Sequence, residues 1–220
     1  MARKRVAILI SGRGSNMTAL IEAAADPDFP AEIALVLSNR ADAGGLARAA
    51  EAGIATAVIP HKQFPDRAAF DAAMDERLRA EKIDLVCLAG FMRLLTAGFV
   101  EAWRDRMINI HPSLLPLFPG LDTHARAIDA GMRLAGCTVH FVRAEMDSGP
   151  IIGQAAVPVA LDDTPETLAK RVLTAEHELY PLALALVASG IATVENERLK
   201  LRADMPADLG GMLTAPAFGQ

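Results

Sequence analysis

The stretch Arg5-Val-Ala-Ile-Leu-Ile-Ser-Gly-Arg-Gly-Ser-Asn16 decides the fold of this chain. Its first half, residues 5–10, is a short aliphatic run typical of a strand that is buried on both faces. Its glycine-rich second half, residues 11–16, leads into residues 17–21, which have helical spacing. A glycine-rich turn between a strand and a helix gathers free backbone N–H groups and the positive end of the helix at one point. We therefore expect an α/β fold with a phosphate site at this turn.

Further aliphatic runs follow along the chain and alternate with segments of helical period, which predicts βαβ units and a parallel sheet. The runs are residues 33–37, 56–59, 85–88 and 107–110. Beyond Pro112, residues 137–143 and 151–159 predict two antiparallel strands around the turn Asp147-Ser148-Gly149-Pro150. The expected fold is Rossmann-like: a mostly parallel sheet flanked by helices, with an antiparallel pair in the C-terminal half.

The C-terminal part of the chain predicts one long helix and a short hairpin. Thr164 as N-cap and Pro165 as the first helical residue predict a helix that runs to about Ala188. We expect one face of this helix to be buried, formed by Leu168, Val172, Ala175, Leu179 and Leu182. Residues 191–194 and 199–201 predict a closing hairpin. The Pro- and Gly-containing segment 203–220 has no periodicity and predicts a flexible tail.

Composition narrows the class of protein. Hydrophobic types make up 52% of the 220 residues, which excludes a disordered or fibrous chain. The net charge of −5 disfavours a general nucleic-acid binder. No apolar run approaches the roughly 18 residues of a membrane helix. Cys87 and Cys137 lie in apolar runs without a partner motif and predict reduced core thiols. We expect a cytoplasmic protein of one domain, residues 1–202.

The glycine-rich turn suits a single phosphate better than a dinucleotide. The dinucleotide fingerprint requires a glycine where Met17 stands and an acidic residue where Ser38 and Asn39 stand. The Lys-Ser/Thr pair of the P-loop is also missing. The Ser15 hydroxyl and the Asn16 amide add donors for a phosphate. A tight turn in which Asn16 caps the helix remains the alternative.

A second group of polar residues follows the strand at 107–110. Asn109 and His111 point to the same side of that strand near its end, where an amide N–H and an imidazole can stabilise a developing oxyanion and move a proton. This chemistry is that of acyl transfer. Asp147, in an exposed turn, is a candidate partner of His111, although spacing does not show the pairing. A structural histidine and an Asp147 that caps its own turn are the alternatives.

Other kinds of catalytic site find less support. His124 and His140 could join His111 as metal ligands, but no metal-binding spacing supports this, and we predict no metal. The chain has no Gly-x-Ser-x-Gly motif, and neither cysteine is placed as a nucleophile. Direct transfer between two bound substrates is therefore the expected reaction type.

Five motifs, in order, resemble the phosphoribosylglycinamide formyltransferase family, the folate-dependent enzymes of purine synthesis, over essentially the whole chain. They are residues 10–16, 88–93, 109–116, 136–149 and 176–177. The resemblance implies the formyltransferase fold, in which residues 1–110 hold the ribonucleotide and residues 111–202 shape the folate cleft. It also implies transfer of the formyl group of 10-formyltetrahydrofolate, a co-substrate, to the amino group of 5′-phosphoribosylglycinamide.

The resemblance assigns roles to individual residues. Those implied to be catalytic are Asn109, His111 and Asp147. Those implied to bind the ribonucleotide are Gly14, Ser15, Asn16 and Glu176. Those implied to bind the folate are Arg67, Met92, Arg93, Leu94, Leu95, Asn109, Arg143, Ala144 and Asp147. From spacing alone, Glu176 would be a solvated helix residue, and Arg67 would pair with Asp66 or Asp71.

The chain departs from the family pattern at two positions, and related activities remain as alternatives. Leu173 and Ala144 stand where relatives often have a polar and an acidic residue. Methionyl-tRNA formyltransferase and formyltetrahydrofolate deformylase share the Asn, His and Asp set, but we expect 220 residues to leave no room for their additional domains. A non-catalytic nucleotide-binding regulatory module would not need that set. The expected partners are small molecules, and the expected state is a monomer or homodimer.

Overall fold

A computed structural model describes residues 2–202 and contains one seven-stranded sheet and one two-stranded hairpin. The strands of the sheet are β1 (Lys4–Ile10), β2 (Ala31–Ser38), β3 (Thr56–Val58), β4 (Leu85–Leu88), β5 (Met107–His111), β6 (Leu134–Phe141) and β7 (Ile151–Pro158). Their spatial order is β3-β2-β1-β4-β5-β6-β7. Strands β1 to β5 pair in parallel, whereas β6 is antiparallel to both β5 and β7. The predicted fold class is confirmed.

Helices cover both faces of the sheet. They are α1 (Ser15–Ala24), α2 (Gly45–Glu51), α3 (Arg67–Ala80), α4 (Ala97–Ala102), α5 (Thr123–Asp129) and α6 (Pro165–Ala188), with a 3-10 turn at His61–Gln63. Alternate side chains of β1 enter two separate cores: Ile8 packs with α1 and α6, and Leu9 packs with α3 and α4. From Val6 to Ile10, both faces of β1 are fully buried, as this aliphatic run predicts.

Sheet order places a crevice beside the first glycine-rich turn. From β1 the chain moves outward to β2 and β3, and then returns to the other side of β1 to form β4. The connections after β1 and β4 therefore leave in opposite directions at their carboxyl ends, which is where open α/β sheets bind ligands. Residues 11–16 and 89–95 follow these two strands.

Helix α6 joins the two halves of the sheet. It begins after the Thr164 capping box, as predicted, and its buried Tyr180 hydroxyl lies 3.0 Å from the Leu88 carbonyl oxygen and 3.2 Å from that of Ile108. Its buried face repeats every four residues from Leu168. The expected burial of Leu182 is wrong, because this side chain lies outside that face and is 58% exposed.

Other boundaries differ slightly from expectation. Strand β6 begins at Leu134 rather than at residue 137, because it pairs with β7 as far as Pro158, and it ends at Phe141 rather than at residue 143. The closing hairpin is present as β8 (Ala192–Glu195) and β9 (Arg198–Leu201). Cys87 and Cys137 are buried free thiols. The predicted flexible tail, 203–220, lies outside the described residues.

Within residues 2–202, we find no helix with the length and hydropathy needed to cross a bilayer.

Candidate active site

His111 is the last residue of β5, and both nitrogens of its buried ring face oxygen atoms. Nδ1 lies 3.4 Å from Oδ2 of Asp147, and Nε2 lies 3.0 Å from the carbonyl oxygen of Phe118. Only the doubly protonated imidazole donates to both of these oxygens. The ring is therefore placed so that a proton on either nitrogen faces an oxygen atom.

The segment that contributes the Phe118 carbonyl is held by the antiparallel strands. The Thr138 hydroxyl on β6 donates to the Ser113 carbonyl at 2.7 Å and accepts from the Leu115 N–H at 3.0 Å. The Gln154 amide on β7 donates to the Leu115 carbonyl at 2.8 Å. These side chains supply hydrogen-bond partners to the backbone after β5, which is no longer paired in the sheet.

Asp147 reaches His111 because its loop folds back along β5. Strand β6 ends beside the start of β5, where the Val142 N–H donates to the Met107 carbonyl at 2.9 Å. Asp147, however, meets His111 at the opposite end of β5. Its Oδ2 also accepts from the Gly120 N–H at 2.7 Å, and its side chain is only 12% exposed. The expected exposed turn is therefore wrong, since the segment before α5 covers the carboxylate.

Asn109 lies on the same strand, two residues before His111, and faces His140 of β6. The two are register partners, and Asn109 Nδ2 lies 3.3 Å from His140 Nε2. The part of the chain in the structure contains no group of three or more His, Cys, Asp or Glu side chains that could hold a metal ion. His111, His124 and His140 are thus not brought together as such a group among the described residues.

The glycine-rich turn borders a cavity of about 730 Å³ at the carboxyl edge of the sheet. Gly14 precedes α1 with φ 71°, a conformation that glycine favours. The Ser11 hydroxyl donates to Asn39 Oδ1 at 2.6 Å and accepts from the Met92 N–H at 2.8 Å, which fixes the loops after β1, β2 and β4 to one another. Gly14, Ser15 and Asn16 line this cavity.

Asn16 does not cap α1; its side chain instead meets Glu176 of α6. Nδ2 of Asn16 donates to Oε2 of Glu176 at 2.6 Å. Glu176 is 6% exposed, so its interpretation from spacing as a solvated residue is wrong. Burial raises the pKa of Glu176, and the Asn16 bond partly opposes that rise. Two of the four residues that the resemblance assigns to the ribonucleotide are therefore in direct contact.

The segment implied to bind folate is exposed beside the same cavity. Met92 is 68% exposed and Leu94 is 56% exposed, while Arg93 lines the cavity and Leu95 is half-buried. Large apolar side chains that remain open to solvent mark a place where a ligand or partner binds. Asn109, also implied to bind folate, is half-buried.

The other residues implied to bind folate lie in different surroundings. The Arg143 guanidinium forms ion pairs with Asp105 and Glu197, each at 2.7 Å, and so is directed toward the β8–β9 turn. Ala144 is exposed and borders a second cavity of about 750 Å³ on that side.

Arg67 is exposed at the first position of α3 and forms no ion pair among the described residues. The alternative that it pairs with Asp66 or Asp71 is wrong. Asp66 accepts from the Ala69 N–H, and Asp71 accepts from the Thr96 N–H.

The family model described as "Formyl transferase" matches residues 4–184. The chain belongs to the formyl transferase family. This confirms the predicted family and enzyme class.

Individual relatives of this formyl transferase extend the comparison. Phosphoribosylglycinamide formyltransferase of Haemophilus influenzae is 43% identical over 187 residues, which is 85% of this chain and 88% of that protein. Trifunctional purine biosynthetic protein adenosine-3 of Bos taurus is 53% identical over 198 residues, 90% of this chain but 20% of the longer protein. The chain thus spans about a fifth of the trifunctional relative.

A solved structure of a relative has the same fold as this formyl transferase. Glycinamide ribonucleotide transformylase 1 from Symbiobacterium toebii superposes with a TM-score of 0.88 at 48% identity, covering 90% of this chain and 94% of that one.

The sequence did not predict the roles of two groups in this formyl transferase site, the Phe118 carbonyl and the His140 ring. Phe118 contributes through its carbonyl, which leaves no mark in residue type. His140 is the other group, and its two-residue spacing from Thr138 on β6 is a signal in the sequence that both side chains face the same side of the sheet.

Proposed function

We propose that this formyl transferase moves the formyl group of 10-formyltetrahydrofolate directly to the amino group of 5′-phosphoribosylglycinamide in purine biosynthesis. The products are 5′-phosphoribosyl-N-formylglycinamide and tetrahydrofolate. The observation that carries the proposal is the placement of His111 between Asp147 and the Phe118 carbonyl, beside Asn109.

Sheet geometry supports a phosphorylated acceptor. The glycine-rich turn follows β1 and Asn109 lies on β5, with β4 between them. Neighbouring strands are roughly 4.8 Å apart, so β1 and β5, which carry the turn and Asn109, are about 10 Å apart across the sheet. A ribose that carries a phosphate at one end and a glycinamide at the other is suited to this span. Gly14, Ser15 and Asn16 would hold the phosphate, and Glu176, behind Asn16, would contact the ribose or glycinamide end.

The catalytic residues meet the needs of direct acyl transfer. The amine attacks the formyl carbon, a C–N bond forms, and the carbonyl oxygen becomes negative. The Asn109 amide would donate to that oxygen, and the Nε2–H of the His111 imidazolium would do so after turning from the Phe118 carbonyl to the substrate. When the bond from carbon to N10 breaks, His111 would give N10 a proton, and Asp147 would take part in removing the proton of the attacking amine, directly or through water.

The folate would lie over the segment that follows β4. Met92, Leu94 and Leu95 offer apolar surface and backbone groups, and the loop of Arg143, Ala144 and Asp147 would cover the pterin. Arg67 and Arg93 are exposed cations suited to the carboxylates of the benzoyl-glutamate end. Arg143 is occupied by Asp105 and Glu197, so its backbone rather than its guanidinium would face the folate.

Substrate omission tests the proposal. The purified chain is given 10-formyltetrahydrofolate with and without 5′-phosphoribosylglycinamide, and release of tetrahydrofolate is followed. We expect turnover only when the ribonucleotide is present. Equal turnover without it would show a deformylase, and no turnover with either mixture would favour a non-catalytic module. A cytoplasmic location and a monomer or homodimer remain predictions, open to fractionation and sedimentation.

A further inference from the structure

His140 is a buried imidazole with no assigned step in acyl transfer, yet its ring contacts Asn109 and the loop that contains Asp147. It is 2% exposed and lies on β6 opposite Asn109. One ring nitrogen faces the Asn109 amide, and the other faces the loop that contains Asp147. Its position between these two elements suggests a role in placing them.

The contacts of His140 determine which nitrogen bears its proton. Nδ1 lies 3.0 Å from the Phe141 carbonyl oxygen and 3.1 Å from the Ser148 carbonyl oxygen. Carbonyl oxygens only accept, so Nδ1 must be the N–H donor. Burial lowers the pKa of His140, although the two carbonyls and Asp147 partly oppose this, so the neutral ring is favoured. Nε2 is therefore an acceptor.

An acceptor at Nε2 fixes the direction of the Asn109 amide. Asn109 Nδ2 lies 3.3 Å from it and donates one of its two hydrogens. The other hydrogen of the same amine remains free for a substrate. If the amide turned by 180°, its oxygen would face the lone pair of Nε2, which is repulsive.

We propose that His140 is a positioning residue that holds the Asn109 amide with an N–H available to the formyl oxygen and ties it to the Asp147 loop. The inference rests on the proposed function, since it assigns Asn109 the same role. His140 touches neither substrate, and its effect on the reaction passes through Asn109 and the Ser148 carbonyl.

Two substitutions separate the contacts of the ring. His140→Asn keeps an amide near the position of Nδ1 but withdraws the acceptor that faces Asn109. His140→Gln places an amide oxygen near the position of Nε2. We expect His140→Asn to lower kcat at least about tenfold, with KM for both substrates within about twofold, because a transition-state donor is lost while binding is not. His140→Gln is expected to recover a substantial part of that loss.

A double-mutant cycle distinguishes positioning from general packing. Asn109→Ala removes the group through which His140 is proposed to act. In that background, His140→Asn should lower kcat by less than twofold. An equally large loss with and without Asn109 would overturn the proposal, because it would show an effect on the fold that does not depend on the amide. Thermal denaturation of all three variants reports their stability.

A measurement on the unmodified chain keeps the inference testable if the variants do not fold. Nitrogen NMR of 15N-histidine-labelled protein at neutral pH should show His140 with a protonated Nδ1 and an unprotonated Nε2. A proton on Nε2 would overturn the proposal even if the enzyme is fully active. Absence of ribonucleotide-dependent turnover in the unmodified chain would instead overturn the proposed function, so the two failures are distinguishable.

Discussion

Nδ2 of Asn16 donates to Oε2 of Glu176 at 2.6 Å, and this buried contact joins residues that are 160 positions apart in the chain. It attaches the first turn of α1 to the middle of α6, directly behind the glycine-rich turn. Glu176, which is proposed to contact the ribonucleotide, is thus held in place by its hydrogen bond with Asn16 in the same pocket.

Glu176→Gln should change how stability depends on pH. Burial raises the pKa of Glu176 above 4.5, so the folded state binds this proton more tightly than the unfolded state. Its stabilising contribution is complete below about pH 4.5 and is lost as the pH rises through the folded pKa. Gln keeps an acceptor for Asn16 but does not titrate. The unfolding free energy of the unmodified chain, minus that of the variant, should therefore fall as pH rises. Urea denaturation across this range tests it, and Glu178→Gln, at an exposed position of the same helix, serves as the matched control.

Gly14→Ala should destabilise the chain, whereas Gly12→Ala should not. Gly14 has φ 71°, and a Cβ there would lie 3.1 Å from Met17 Cε and 3.3 Å from Gly45 Cα. A left-handed non-glycine residue costs about 1–2 kcal/mol. A Cβ at Gly12 meets nothing within 4 Å, so this variant controls for the added methyl group. Thermal melts measure stability, and titration with inorganic phosphate measures the site. Equal melting temperatures for both variants would contradict the strain argument.

His111→Ala should lower kcat by about 10²–10⁴-fold, the usual contribution of a positioned general acid. The KM for the ribonucleotide should change much less, because the interaction develops in the transition state. Steady-state kinetics with both substrates provide the test. Asn196→Gly, in the turn between β8 and β9, should leave both parameters unchanged. Matched losses in kcat and ribonucleotide binding would make His111 a binding residue instead.

Asp147→Asn and Asp147→Ala should separate charge from loop structure. Both remove the carboxylate that faces His111 at 3.4 Å and should lower kcat at least about tenfold. Only the alanine variant loses an acceptor for the Gly120 N–H, which the carboxylate holds at 2.7 Å. Hydrogen exchange at Gly120 should therefore be faster in Asp147→Ala than in Asp147→Asn. Identical exchange in the two variants would show that this bond does not hold the segment.

Cys87 and Cys137 should resist thiol reagents in the folded chain. Burial raises the pKa of each thiol to about 12. At pH 8 only about 10⁻⁴ of each would be thiolate, the reactive form, so modification should be about a thousand times slower than for a free thiol. Ellman's reagent measures the rate, and both cysteines should react promptly in denaturant. A fast-reacting thiol in the native chain would contradict their burial.

Elements that depend on local sequence were predictable. The aliphatic runs that became β1, β4 and β5 lie where their sequence places them, and Thr164 with Pro165 gave the start of α6 correctly. Polypeptide periodicity and capping chemistry act over a few residues, so a single sequence contains that information.

The environment of the site was less predictable because it depends on contacts between distant segments. Glu176 is predicted to be solvated, yet it lies on the buried face of α6, where the Asn16 amide is its hydrogen-bond partner. Asp147 has the sequence of an exposed turn and is enclosed only because the segment around Gly120 lies over it. The Phe118 carbonyl acts through the backbone, which every residue type shares. No local pattern encodes these three relationships.

The Tyr180 hydroxyl, held between the backbone carbonyls of Leu88 and Ile108, has a consequence for how the molecule melts. Helix α6 comes from the C-terminal part of the sequence, yet it packs on α1 as well as on β6 and β7. The apolar face of α6 covers surface in both halves of the sheet. If either half unfolded, α6 would lose part of its packing and expose apolar surface to water. The chain should therefore unfold in one cooperative transition. Either substrate alone would then raise the melting temperature of the whole molecule, including the pocket of the substrate that is absent.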